Sequence, residues 1–180
     1  DFLPADLTDP DQVEAAVAAT AARFGRIDGL FAVAGGSGRQ FGDGPAHELT
    51  RDALDRTLAL NLTTQVLPAG AVLRRMLAQE PDDDGSRGAL LLMGSVLASH
   101  PVPGLFATHA YAAAKGAIAA LGTTMAAYYA PHAIRVNVVA PALVRTPMSL
   151  RAAEDAATAA FATRKQPLAG GFLAAEDVAA

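Results

Sequence analysis

Three short apolar runs set the terms on which this chain can fold. Leu30–Ala34 (LFAVA), Ala89–Met93 (ALLLM) and Ile134–Ala140 (IRVNVVA) are each closed by a breaker: Gly35-Gly36, Gly94-Ser95 and Pro141. The first two lack polar–apolar alternation, which suits strands buried on both faces, as in a parallel sheet. Helical stretches separate them. Asp9–Phe24 has Thr8 as a candidate N-cap, Pro10 and Asp11 for a first turn and Gly25 just past its end. A longer segment runs from about Thr50 to Gln79, with Pro68 as an expected kink. Tyr111–Ala130 and Met148–Thr163 also read as helices, and the loop 96–110 carries three breakers, Pro101, Pro103 and Gly104. Strand and helix alternate over crossovers long enough to be right-handed, so the expected architecture is α/β: a doubly wound parallel sheet covered on both faces.

Composition narrows the function classes. Lys+Arg 14 against Asp+Glu 18 leaves a net charge of -4 with the signs scattered, whereas a nucleic-acid or anionic-membrane surface needs a basic patch. No apolar run approaches the roughly 20 residues that span a bilayer. The opening residues lack the basic and apolar regions of a secretory signal, which makes the cytoplasm the expected compartment. Cysteine is absent, so disulfides and thiolate metal sites are excluded. With 52% apolar residues and 180 in all, one domain with a sizeable core is expected.

In such a sheet, ligands bind beyond the carboxyl ends of the strands, here Ala34-Gly35, Gly94-Ser95 and Ala140-Pro141. Tyr111 and Lys115 are four apart and share one helical face. A phenol titrates near pH 10 and is a poor base at neutrality, but an adjacent ammonium favours the phenolate. The chain holds three Tyr (111, 128, 129) and two Lys (115, 165), so the pairing arises by chance with a probability of only about 0.03.

The sequence here resembles the short-chain dehydrogenases/reductases. The resemblance is carried by Tyr111-Ala-Ala-Ala-Lys115, the strand-end Ser95, Asn61 in LALNLTTQ, Asp6-Leu7-Thr8, Gly25-Arg26-Ile27-Asp28, and Asn137-Val-Val-Ala-Pro141 through Thr146-Pro147. These pieces occur in family order over nearly the whole chain. The resemblance implies a Rossmann-type three-layer α/β/α fold and an NAD(P)-dependent oxidoreductase interconverting a secondary alcohol and a ketone. Tyr111 would be the general acid/base, Lys115 would lower its pKa and bond the nicotinamide ribose, Ser95 would bond the substrate oxygen, and Asn61 would hold a relay water. Cofactor contacts would come from Asp6, Leu7, Ala34, Gly35, Tyr111, Lys115, Pro141, Val144 and Thr146. NAD or NADP would be the cofactor, a small alcohol or ketone the substrate, and a homodimer or homotetramer the assembly.

Four departures qualify the resemblance. Ala32-Val33-Ala34-Gly35 replaces the family's Asn-Asn-Ala-Gly, and Ala142 follows Pro141 where glycine is usual. The loop from Ser95 to Tyr111 is longer than usual, which makes Ser99 a rival for the serine role. The glycine-rich phosphate turn expected after a first strand has no counterpart in these residues. The opening residues match the end of the family's third strand and the tail stops short of its last. The expectation is therefore a partial domain without the first βαβ unit and the last strand, its first remaining strand exposed as an apolar edge.

Other signals carry less. Gly35-Gly36-Ser37-Gly38 is not G-x-G-x-x-G and opens no apolar helix. Asp82-Asp83-Asp84 lacks calcium-loop spacing. His47, His100, His109 and His132 have no metal spacing, and a structural role is expected for His109. The competing functions are a catalytically inactive nucleotide-binding or structural fragment, and an epimerase or dehydratase using the same Tyr–Lys pair.

Overall fold

The computed structural model describes residues 2–102 and 104–179. Pro103, one of the three expected loop breakers, lies outside them. Helix α1 spans Pro10–Phe24 and strand β1 Gly29–Ala32. Arg51–Leu58 (α2) continues through a π turn at Ala59–Thr63 into Thr64–Ala78 (α3). Strand β2 is Gly88–Met93, α4 is His109–Tyr129 and β3 is Ile134–Val139. Three short helices follow: α5 (Leu150–Glu154), α6 (Ala156–Lys165) and α7 (Glu176–Ala179).

The strands form a parallel sheet in the order β1-β2-β3, with Leu30, Leu90 and Val136 in register. This is a Rossmann-type α/β sheet with β2 at its centre. Side chains alternate across a sheet, and one face carries Leu30, Ala32, Leu90, Leu92, Ile134 and Val136. These join Ala21 of α1, Val72, Leu73 and Met76 of α3 and Ile118 of α4 in a single core. The opposite face carries Phe31, Leu91, Arg135 and Asn137, and is the one a third layer would cover. β1 lies at the edge of the sheet and Phe31 on it is 47% exposed, so the expected apolar edge is present. Gly122 lets α4 lie close on β3: a Cβ there would meet Val138 Cγ2 at 2.2 Å.

Local chemistry corrects several boundaries. Asp9, not Thr8, caps α1, accepting from the N–H groups of Asp11 and Gln12, while Thr8 donates its hydroxyl to Asp6. Pro68 stays inside a continuous helix, and the departure from α geometry falls upstream at Ala59–Thr63. Asp155 breaks the expected helix 148–163 in two, because its carboxylate accepts from both the N–H and hydroxyl of Thr158 and so caps α6. β1 ends at Ala32, two residues early, since the Ala34 carbonyl bonds the Thr64 hydroxyl (3.3 Å) and not β2. Asp82-Asp83-Asp84 forms a turn in which Asp82 Oδ1 accepts from the N–H groups of Asp84 and Ser86.

Candidate active site

The carboxyl ends of β1 and β2 meet α3 and the first two turns of α4, and Tyr111, Lys115, Ser95 and Asn61 converge there. Tyr111 and Lys115, one helical turn apart on α4, put the Lys115 Nζ 5.6 Å from the Tyr111 ring centroid. Lys115 is only 2% exposed, and its Nζ donates to the Met93 carbonyl at 2.8 Å. Burial pulls its ammonium down to about 8. An ammonium has three N–H donors, so two remain for a ligand beside that bond.

Burial pushes the Tyr111 phenol above its ordinary value, and a hydrogen bond with Ser95 partly offsets this. The resemblance implied that Lys115 lowers the Tyr111 pKa. In this arrangement the low-dielectric surroundings win, and the lysine faces a carbonyl. The phenol is held neutral, which suits a proton donor.

Ser95 directly follows Gly94 beyond the end of β2, is 9% exposed, and its Oγ accepts from the Leu97 N–H at 3.2 Å. Ser99 is exposed and its hydroxyl bonds His100 Nδ1 (2.8 Å), whereas Ser95 is buried and is the serine that acts on the Tyr111 phenol. Ser95 caps the start of the 3-10 turn at Val96–Ala98 right at the end of β2, whereas Ser99 lies beyond that turn.

Asn61 is fully buried in the π turn. Its Oδ1 accepts from the Gly36 N–H (3.0 Å), and its Nδ2 donates to the carbonyls of Gly36 and Thr57 (3.0 Å each). Its side-chain amide is therefore spent on holding the Gly35-Gly36 turn. A Cβ on Gly35 would sit 2.9 Å from Asn61 Oδ1 and 3.6 Å from Lys115 Nζ, so only bare backbone fits here. The bare backbone of Gly35 and the two unused donors of the Lys115 ammonium are the groups that would meet a nicotinamide ribose here. The residues present fit that end of a dinucleotide.

The other expected contacts are more dispersed. Pro141 accepts from the Val96 N–H through its carbonyl, joining the ends of β3 and β2. The Thr146 N–H donates to Ser149 Oγ, which in turn donates to the Val144 carbonyl, so both are fixed in the loop after β3. Asp6 is exposed, and its carboxyl is held below its ordinary value by the hydroxyl and N–H of Thr8. Leu7 is half-buried in the turn that Asp6 and Asp9 close before α1. Among the described residues, neither Asp6 nor Leu7 joins the Tyr111 cluster.

Two residues were missed at the level of sequence. Gln65, fully buried, bonds both main-chain atoms of Met93 and so supports the carbonyl that receives Lys115. Its signal was a polar residue one turn after Asn61 on a core-facing helix. Asp43, 4% exposed, bonds the N–H groups of Ala110 and Tyr111. It stood in an undistinguished GDGP loop. His109 serves structure, as expected: its Nδ1 accepts from the Ala46 N–H at 3.0 Å.

A Tyr–Lys pair with a strand-end serine, at the carboxyl edge of a parallel Rossmann-type sheet, defines a dehydrogenase-type α/β domain. A family profile described as "Enoyl-(Acyl carrier protein) reductase" matches residues 1–180. The chain belongs to the short-chain dehydrogenase/reductase family. It is 38% identical over 144 residues to levodione reductase of Leifsonia aquatica, an alignment covering 80% of this chain and 49% of that protein. The crystal structure of a 3-oxoacyl-[acyl-carrier protein] reductase from Brucella melitensis in complex with NAD superposes with a TM-score of 0.86 at 26% identity, over 99% of this chain and 67% of that one. A gluconate 5-dehydrogenase from Burkholderia cenocepacia J2315, in complex with NADP and tartrate, gives 0.81 at 28% identity, over 96% and 62%. The chain spans about half the length of the curated relatives it matches. No helix among the described residues is long and apolar enough to cross a membrane.

Proposed function

We propose that this chain carries the catalytic part of an NAD(P)-dependent oxidoreductase that interconverts a secondary alcohol and a ketone. One observation supports this above the rest: Tyr111 and the buried Lys115 lie one helical turn apart on α4, with Ser95 lowering the phenol's pKa against its desolvation and Lys115 beside the bare backbone of Gly35. The nicotinamide, when bound, supplies or accepts the hydride. Tyr111 gives its phenolic proton to the carbonyl oxygen in reduction and takes it back in oxidation. Ser95 donates a hydrogen bond to the same oxygen and stabilises the charge that develops there.

Lys115 uses its free donors on the nicotinamide ribose. With an ammonium near pH 8, it also passes a proton toward Tyr111 close to neutrality. Asn61 holds the Gly35-Gly36 turn and, in this reading, keeps a relay water on the path from solvent to Lys115. Ala34 and Gly35 at the end of β1 and Pro141, Val144 and Thr146 at the end of β3 would hold the cofactor, with Thr146 taking its carboxamide. Asp6 and Leu7 serve the adenine end. The exposed small residues Ala119, Ala120, Thr123 and Ala127 of α4 support association with a second copy through this helix.

The test is saturable binding of NADH and NADPH to the intact protein, followed by cofactor oxidation with a panel of ketones. Binding with ketone-dependent oxidation is the expected result. Failure to bind either nucleotide would leave the inactive-fragment reading standing.

A further inference from the structure

We propose that Asp43 is a positioning residue for Tyr111. Reaching across from the loop after β1, its carboxylate fixes the first turn of α4 and with it the direction of the phenol. This rests on the reading of Tyr111 as the proton-transfer group.

The first N–H groups of a helix have no partner within it. Thr108, at the N-cap position of α4, makes no side-chain capping bond. Asp43 supplies what is missing from 67 and 68 residues upstream. Its Oδ1 accepts from the Ala110 N–H at 2.9 Å, and its Oδ2 accepts from the N–H of Tyr111 itself at 3.0 Å. The negative charge also sits at the positive end of the helix dipole.

The loop bearing Asp43 is itself held on both sides. At its start, Asn61 clamps Gly36. In its middle, Gly38 lies so close that a Cβ would be 2.8 Å from Asp43 Cβ and 2.3 Å from Thr57 Oγ1. At its end, the His109 N–H donates to the Gly44 carbonyl at 3.2 Å. The loop is thus a strut between Asn61 and Tyr111, and Asp43 is its contact with the catalytic helix.

The chain has three tyrosines, so tyrosine labelled at 13Cζ gives three NMR signals, and Tyr111→Phe assigns the one that matters. In Asp43→Ala the first turn of α4 loosens and water reaches the phenol. The Tyr111 titration midpoint then falls toward the ordinary tyrosine value, and kcat drops roughly 10- to 100-fold with little change in cofactor KM. Asp43→Asn, which keeps one acceptor oxygen, shows a smaller drop and carries the test if Asp43→Ala does not fold. Adding Thr108→Asp to Asp43→Ala supplies a local cap. That double variant recovers thermal stability but neither the midpoint nor kcat, because the strut stays detached. Recovery of all three, or an unmoved midpoint and kcat in Asp43→Ala, overturns the proposal. If Tyr111→Phe keeps wild-type turnover, the proton-transfer reading is what fails, and the midpoint still decides the role of Asp43.

Discussion

The Gln65 side chain bonds both main-chain polar atoms of Met93, Oε1 accepting from the N–H at 2.9 Å and Nε2 donating to the carbonyl at 3.0 Å. The last paired rung between β1 and β2 is Ala32 with Leu92. One residue further on, β1 has turned away toward Thr64, and the amide of Gln65 replaces its next peptide. The Met93 carbonyl accepts from Gln65 and Lys115 together, so the end of the central strand and the buried lysine share one atom.

Gln65→Leu therefore leaves the Met93 N–H without a partner in a buried place. A loss of about 2–4 kcal/mol is expected, made of the lost bonds and the stranded donor. Urea denaturation measures it, and a cost under 1 kcal/mol would mean that water or another group takes the place of the amide.

Lys115 makes stability depend on pH in a known sense. Its folded-state value of about 8 lies below the ordinary 10.5, so the unfolded chain binds more protons between these limits and stability rises with pH across them. From pH 8 to 10 the gain is about 2 kcal/mol. Tyr111 acts in the opposite sense, since a raised phenol favours the folded state until the unfolded tyrosine ionises, and its effect is confined to higher pH. Denaturation at pH 8 and pH 10 should show the rise in the wild type and not in Lys115→Met. Equal slopes in the two proteins would remove lysine burial as the cause.

Asn61→Asp keeps the acceptor for the Gly36 N–H but turns an oxygen toward the Gly36 and Thr57 carbonyls, where Nδ2 now donates. A loss of about 3 kcal/mol is expected, with faster amide exchange at Gly36. Unchanged exchange there would show that the turn holds without Asn61.

Gly122→Ala reads the fit of α4 on β3. In an exposed helix this change stabilises by about 1 kcal/mol. Here the added methyl meets Val138 Cγ2 at 2.2 Å, so the sign reverses to a loss of about 1–3 kcal/mol. A thermal midpoint at or above wild type would contradict the packing described.

The serine assignment separates cleanly. Ser95→Ala removes the hydroxyl that lowers the Tyr111 phenol's pKa and should lower kcat by about 10²-fold, whereas Ser99→Ala changes it by less than about twofold. The reverse order would move the site to the longer loop.

Much of this was legible before any coordinates, because its signals were local. The apolar runs with their breakers marked all three strands to within two residues. The Tyr111–Lys115 spacing and the position of Ser95 at a strand end located the candidate site. Long-range contacts were not legible. The α4 helix starts at His109, two residues earlier than Tyr111, because its cap comes from Asp43, and β1 stops early because Thr64 and Gln65 take over its bonds. The pull on the Tyr111 phenol depends on burial, which four-residue spacing cannot report. Asp155 was a different case. Its capping pair with Thr158 lies three residues away, and the alanine-rich surroundings masked it.

In the proposed reaction Tyr111 moves the proton. Tyr111→Phe removes only its hydroxyl, so nucleotide binding and turnover measured on one preparation isolate that role. Turnover is expected to fall by at least about 10³-fold while NADH or NADPH still binds within about threefold of wild type. Turnover within tenfold of wild type, with binding intact, would contradict it.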